Sequence, residues 1–559
     1  MFAIEPDDQV LESMMPPQDE KWVFSARRKA PKETTFQVQC SAILIVGTDV
    51  AQPQIEMAKD VHGVVCKDIQ VPGSEKEFVA GLEECFLCED INEDFVERLR
   101  KYIVAYYVAK QHPFVDVIIP EQEITSGVVQ VQIEESRIAK ISVEGNRFDS
   151  ASQLQKYLGV HEHDTIDLNQ LTKGIDFINR NPFRRADLVL SPGAEPHTTN
   201  LDLVLKERRP YRVYSGADNS GIETIKRNRF LAGLNAAKVF NLDHFFTYQY
   251  TSSWNFHQFQ AHTAQYLAFL PWQHVLNMFG GVSWVNNVEL PAPSTRNNGA
   301  SYQASGRYIV PLNPMRSFSH EWGLGFDFKR TNNTVAFAEL NPTIGPNVNL
   351  SQFIGRYAGN WKITGHAIEF QTELFVSPGA MLGDESDVAY NALRPNAKNH
   401  WVYWRTMGNY TFQTPKLHLD LYLQWQWSSQ NLLPSEQIGL GGFDSVRGYD
   451  ERQLNYDSGL IFNAECGPAA FPVIGRWTKR SALQDSLQLL LFYDFGLGTN
   501  HNLIPGEKNF DYLIGAGPAL RYLIDPWLSF RLDLGFKLHQ ESNFTGGNAM
   551  WYFSAVVNY

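Results

Sequence analysis

No stretch of the chain approaches the roughly 20 consecutive apolar residues that a membrane-crossing helix needs, so a helical membrane span is excluded. A transmembrane barrel is not excluded. It hides its apolar face in every second residue and keeps a soluble-looking mean hydropathy, here −0.29. Positive charge is also short: 48 Lys and Arg stand against 61 Asp and Glu, for a net charge of −13. That argues against a nucleic-acid partner, because phosphates call for a basic face. Cysteine is scarce, with five residues at positions 40, 66, 85, 88 and 466. Met1 to Glu20 lack a basic stretch followed by an apolar core, so they do not form a secretory signal. An outer-membrane location would then require the numbering to start at the mature chain.

Chemistry-bearing constellations are missing as well. Gly439-Leu440-Gly441-Gly442 has the look of a phosphate loop, but no helix follows to supply an anion-binding N-terminus. His161-Glu162-His163-Asp164 falls between two helices and reads as a solvated loop rather than a metal site. No nucleophile, acid–base pair or metal cluster stands out. The expectation is a protein with no catalytic residues, metal or cofactor.

What is present is aromatic side chains, 13% of residues and mostly after residue 210. Two patterns divide the chain. Residues 1–35 are polar and proline-marked, with one short helix expected within Pro6–Met15. Residues 36–135 and then 136–209 each read as strand, helix, helix, strand, strand. Such self-similarity marks a modular array. In the first unit, Asn92 is placed to cap a helix whose stripe runs through Phe95, Leu99, Tyr102, Tyr106 and Ala109, and Pro113 stops it. In the second, Asp167 precedes a stripe of Leu168, Leu171, Ile175 and Ile178, and Pro182 ends it.

From Tyr211 onward, helical stripes give way to segments of about ten residues that alternate apolar and polar side chains. Leu417, Leu419, Leu421, Leu423, Trp425 and Trp427 interleave with His418, Asp420, Tyr422, Gln424 and Gln426. Leu528, Phe530, Leu532, Leu534 and Phe536 interleave with Ser529, Arg531, Asp533, Gly535 and Lys537. In a soluble sandwich the polar face would meet bulk water; in a membrane barrel it meets the lumen. The aromatic richness favours the barrel, since such barrels carry aromatic girdles at both interfaces. About sixteen antiparallel strands fit between Tyr211 and Tyr559, with short and long connections alternating. Residues 468–485 break that alternation, being long where a short turn is due. In the long connection 429–455, Arg447 stands alone among small and aromatic residues. That suits a loop folded back into the lumen, where a guanidinium finds a carboxylate.

Two tandem modules before a barrel of this size resemble the two-partner secretion transporters, the outer-membrane exporters of haemolysins and filamentous haemagglutinins. The modules are similar to that family's POTRA domains. Asn179-Arg180-Asn181-Pro182-Phe183-Arg184-Arg185-Ala186 followed by Ser191-Pro192-Gly193 resembles its second one. Val446-Arg447-Gly448-Tyr449 matches the family's external-loop signature, and Phe492-Tyr493-Asp494-Phe495-Gly496 its F-x-D-x-G strand signature. By strand count the loop joins strands 11 and 12, and the second motif lies on strand 13. The resemblance implies that Arg447 meets Asp494 inside the barrel. It further implies that Tyr559 is a C-terminal signal for the barrel-assembly machinery, and that residues 1–35 plug the barrel or trail as a tail. The implied function is outer-membrane translocation of an unfolded, repeat-rich partner polypeptide, captured by periplasmic POTRA domains, with the membrane lipid as surroundings. Alternatives are a barrel-assembly factor of the same superfamily, and a passive porin or adhesin. Cys40, Cys66, Cys85 and Cys88 lie outside the family pattern. In an oxidising periplasm they are expected as disulfides, in one of three pairings that the sequence leaves open, ahead of free buried thiols or a zinc site.

Overall fold

The computed structural model describes residues 38–47, 62–286, 298–315, 317–333, 344–474, 484–503, 508–539 and 547–559. The short helix expected near the N-terminus lies outside them. Two compact units divide the chain. One comprises residues up to Ser142 with Val160–Leu171 and Leu188–Leu203; the other comprises Val143–Gly159, Thr172–Asp187 and Val204–Tyr559.

The first elements are β1 (Ala42–Gly47), β2 (Gly63–Lys67), α1 (Glu75–Phe86), α2 (Glu93–Ala109), β3 (Val115–Ile118) and β4 (Val128–Glu135). The sheet order is β2-β1-β4-β3, with β1 parallel to both neighbours and β3 antiparallel to β4. Asn92 caps α2 by accepting from the Phe95 amide at 2.8 Å. The buried stripe of α2 is Phe95, Leu99, Ile103 and Tyr107, packed with Phe78 and Leu82 of α1 against Ile43, Ile45 and Val131. A pure four-residue step carries the stripe through Ile103 and Tyr107, so Tyr102 and Tyr106 lie on its flank, partly buried.

All five cysteines are free thiols, which corrects the disulfide expectation. Cys40 is buried in the core beside β1, whereas Cys66 lies on β2 opposite Ile45, five residues along from Cys40. Cys85 and Cys88 are exposed. Burial pushes the Cys40 and Cys66 thiols up to about 11, which keeps them protonated and unreactive.

Next come β5 (Arg137–Glu144), α3 (Ala151–Leu158), α4 (Leu168–Ile178), β6 (Arg184–Pro192) and β7 (Thr198–Glu207), whose strands form a sheet of order β5-β7-β6.

The remaining strands build a barrel. Its first eleven are β8 (Tyr211–Asp218), β9 (Arg229–Ala236), β10 (His244–Ser253), β11 (Phe259–Phe269), β12 (Val275–Val285), β13 (Gly299–Pro311), β14 (Phe318–Asn333), β15 (Ile344–Ile363), β16 (His366–Pro378), β17 (His400–Gln413) and β18 (Leu417–Ser428). Two short strands, β19 (Ile438–Leu440) and β20 (Leu454–Tyr456), then pair with each other, and among the described residues with no barrel strand. The ring resumes with β21 (Ser458–Pro468), β22 (Gln484–Thr499), β23 (Phe510–Asp525), β24 (Leu528–Lys537) and β25 (Ala549–Asn558). Each barrel strand pairs antiparallel with the next, and β25 pairs with β8 to close a sixteen-stranded barrel. The period-two pattern explains the faces. On β22, Leu489, Leu491 and Tyr493 point outward and exposed, while Leu490, Phe492 and Asp494 are buried on the lumen side. On β18 the outward set is apolar: Leu423, Trp425 and Trp427 are exposed, and the intervening Gln426 is buried.

Candidate functional site: a loop seated on the inner wall

The connection between β18 and β21, the eleventh and twelfth barrel strands, carries the β19–β20 hairpin. Its tip turns on Gly441, Gly442 and Gly448, with φ of 98°, 111° and 106°, a region that glycine adopts without a Cβ penalty. Val446 and Tyr449 are fully buried with Ile438, Leu440, Tyr456, Ile461 and Leu513. The hairpin therefore packs against the inner wall rather than facing solvent.

At the tip, Arg447 meets Asp494 of β22, the thirteenth strand. Its Nε donates to Oδ2 at 2.7 Å and its Nη2 to Oδ1 at 2.8 Å, and the Arg447 amide also donates to Oδ2 at 3.0 Å. This fork matches the carboxylate plane, the geometry that favours arginine over lysine. Arg447 is 3% exposed and Asp494 0%, so each charge depends on the other. The guanidinium also lies over the Phe492 ring, 3.5 Å from its centroid. Asn463 of β21 stands directly opposite Asp494 in the register and donates to its Oδ1 at 2.8 Å.

The pair is part of a larger charge network. Arg447 Nη1 bonds Glu465 and lies 3.3 Å from Asp533. Arg521 bridges Glu465 at 2.9 Å and pairs with Asp533. Arg531 reaches Asp533 at 2.9 Å, Asp444 at 3.1 Å and the Phe443 carbonyl at 2.8 Å. Along this bonded chain cations alternate with carboxylates, and it holds both sides of the tip.

Glycines make room for the seat. Gly515 faces Asp494 in the register, and a Cβ there would overlap the Arg447 carbonyl. A Cβ at Gly535 would overlap the Gly448 amide, and one at Gly496 would approach a Val446 methyl to 2.8 Å. Tyr552 of β25 accepts from the Gly448 amide at 2.9 Å and donates to the Tyr449 carbonyl at 2.5 Å. Tyr449 Oη lies 2.9 Å from the Ile514 carbonyl. At the other end of the chain, Tyr559 exchanges backbone hydrogen bonds with Val213 at 2.8 and 3.1 Å, extending the closing seam.

The model of the haemolysin secretion/activation protein family, ShlB/FhaC/HecB, matches residues 197–521, more than half of the chain. The chain belongs to this family. Curated relatives include the outer membrane transporter CdiB of Dickeya dadantii, 23% identical over 72% of this chain and 71% of that protein. Another is the heme/hemopexin transporter protein HuxB of Haemophilus influenzae, 22% identical over 78% and 76%. Among solved structures, CdiB from Escherichia coli superposes with a TM-score of 0.75 at 16% identity, covering 96% of this chain and 93% of that one. CdiB from Acinetobacter baumannii gives 0.71 at 16% identity, covering 99% and 96%. The protein is therefore an outer-membrane β-barrel transporter of the two-partner secretion type, and its family consists of transporters rather than enzymes.

Sequence reasoning singled out Arg447, Asp494 and the glycines flanking them. It missed Asn463, Glu465, Arg521, Asp533 and Tyr552 as members of the site. The available signal was phase: Arg521, Arg531 and Asp533 carry charge on strands that otherwise bury apolar residues in lipid. Their convergence on one loop depends on curvature and register that only the closed barrel supplies.

Proposed function

We propose that the protein exports an unfolded, repeat-rich partner polypeptide, and that the Arg447–Asp494 contact is the latch that holds its loop in a resting position. Residues 36–135 and 136–209 act as two POTRA domains that capture the partner in the periplasm by strand addition along an exposed sheet edge. Main-chain pairing tolerates sequence, so an extended chain can slide. Residues 210–559 form the conduit, Val446, Gly448 and Tyr449 shape the tip, and Phe492 and Gly496 complete its seat. Tyr559 serves as the signal read by the barrel-assembly machinery.

The observation that supports this reading best is the fork of Arg447 on a fully buried Asp494. A lone loop would lose conformational entropy by docking against the wall; a buried, bidentate ion pair offsets that loss. Truncating one partner of such a pair costs about 3–5 kcal/mol when it is truly buried, because the other charge is stranded. Arg447→Ala should therefore unseat the loop while sixteen paired strands keep the barrel intact. Secretion of the partner and single-channel conductance in planar bilayers test this. The expected outcome is reduced export, altered conductance and an unchanged heat-modifiable barrel on gels. Normal export with wild-type conductance would sink the latch.

A further inference from the structure

One end of the barrel wall carries a repeated histidine–tyrosine couple that nothing in the transport cycle above uses. His244 on β10 bonds Tyr266 on β11. His274, just before β12, bonds Tyr308 on β13 at 2.6 Å. His320 on β14 bonds Tyr357 on β15 at 2.9 Å, and His366 on β16 bonds Tyr410 on β17 at 2.8 Å. In each case the imidazole Nδ1 meets the phenol oxygen.

The placement is the same each time. Tyr266, Tyr357 and Tyr410 stand opposite Phe246, Trp322 and Ile368, two residues beyond the respective histidine. Tyr308 is likewise opposite Leu276, two beyond His274. Each couple therefore bridges an outgoing strand and the returning one, at the end away from the connection joining them. That end adjoins the short turns, and β8 begins there at Tyr211. Short turns mark the periplasmic side of such barrels. The couples also share the lipid face. His320 is in phase with exposed Trp322 and Leu324, and His366 with exposed Ile368 and Leu374. His244 is out of phase with Thr247 and Gln249, which line a lumen cavity of about 610 Å³.

The hydrogen bonds fix the tautomer. At His320, Nε2 lies 3.1 Å from the Asn313 carbonyl. A carbonyl only accepts, so in the neutral ring Nε2 carries the proton and Nδ1 accepts from the Tyr357 hydroxyl. At His274, the Tyr308 oxygen already accepts from the Trp272 indole at 3.1 Å, which directs its own proton to the imidazole. An Nε2–H donor is then left at His320 and His274, and the same Nδ1–phenol contact assigns the same tautomer to His244 and His366 by analogy. His320 spends its donor on Asn313. Among the described residues, no protein acceptor is found for Nε2 of His244, His274 or His366.

We propose that His244, His274 and His366 form a row of phosphodiester-binding sites for phospholipids of the periplasmic leaflet. A donor at the apolar–polar boundary meets lipid phosphate there, and a neutral imidazole oriented by its tyrosine can donate without carrying a charge into the interface.

The test uses the full-length protein in nanodiscs of phosphatidylethanolamine and phosphatidylglycerol, with retained phospholipid counted by native mass spectrometry. The triple variant His244→Phe, His274→Phe, His366→Phe should retain several-fold less phospholipid than the wild type. His320→Phe, whose donor is already capped, should retain as much as the wild type. Equal retention in the triple variant, or an equal loss in His320→Phe, overturns the proposal. So does displacement of the lipid by millimolar inorganic phosphate, which would make these free-phosphate sites. Should the triple variant misfold, ¹⁵N–³¹P recoupling on histidine-labelled wild type decides instead. Contacts are expected at three histidines, and their absence at all three overturns the row.

Discussion

At the scale of single residues, the inner wall is built around what is missing as much as around charge. Asp494 binds the Arg447 fork from one strand, while the neighbouring strand presents Gly515 at the same register level. The Arg447 backbone occupies the volume that any larger side chain would fill. Gly515→Ala therefore tests the seat without touching a single charge. Its methyl would overlap a carbonyl oxygen held in place by the fork, so wall and loop cannot both keep their positions. Overpacking of this kind costs typically about 1–3 kcal/mol. The expected result is a barrel that folds and resists heat as the wild type does, with the tip displaced. Spin labels on the loop and on β23 would read a longer and broader distance distribution. An unchanged distribution would mean that the wall gives way locally and the seat is looser than its geometry implies.

At the scale of elements, strands were the most legible part of the sequence. Alternation on β18 and β24 places each side chain on one of two faces, and the sixteen segments expected between Tyr211 and Tyr559 correspond to sixteen paired strands. A fixed period and a fixed length carry that information locally. Helix boundaries were legible too, as Asn92 and Pro113 bracket α2. The stripe of α2 was read partly onto Tyr102 and Tyr106, because an aromatic on the flank of a helix looks much like one at its centre. The charge network was not legible, since Glu465, Arg521 and Asp533 come from separate strands whose register a linear pattern does not contain. The disulfide expectation failed for a related reason: cysteine count and compartment say nothing of where the strands put each thiol. One element contact has a pH signature. His112, just after α2, sits 2.8 Å from Glu135 at the end of β4. That bond, together with the nearby charges of Glu135 and Asp167, raises the His112 pKa against the opposing effect of burial. A raised folded pKa means that the stabilisation is fully present below the ordinary histidine value of about 6.5 and is lost as pH rises through the folded value. Amide exchange at the C-terminal turn of α2, corrected for intrinsic rates, should show protection falling as pH rises above the ordinary histidine range. Glu135→Gln should flatten that dependence; an equally steep profile in the variant would assign it to another group.

At the scale of the whole molecule, the question is whether the barrel works closed or by parting at its seam. The seam joins β25 to β8 through the register Ser554–Asp218 to Asn558–Tyr214, extended by the exchange between Tyr559 and Val213. It is a shorter pairing than those between neighbouring long strands such as β22 and β23, so an assembly factor that feeds new strands into the membrane would open there. An exporter that passes its partner along the lumen has no need to. Tyr552 sharpens the contrast, because from β25 it holds the Gly448 amide and the Tyr449 carbonyl; parting the seam would carry away part of the loop's own seat. Ala217 and Ala555 lie opposite each other across the seam, at a spacing that suits an engineered disulfide between paired strands. The double variant Ala217→Cys, Ala555→Cys, oxidised in the cell, should secrete its partner at the wild-type level, with and without reductant. Loss of secretion that reductant restores would show that the seam must open during transport, and would return the protein to the side of the assembly factors.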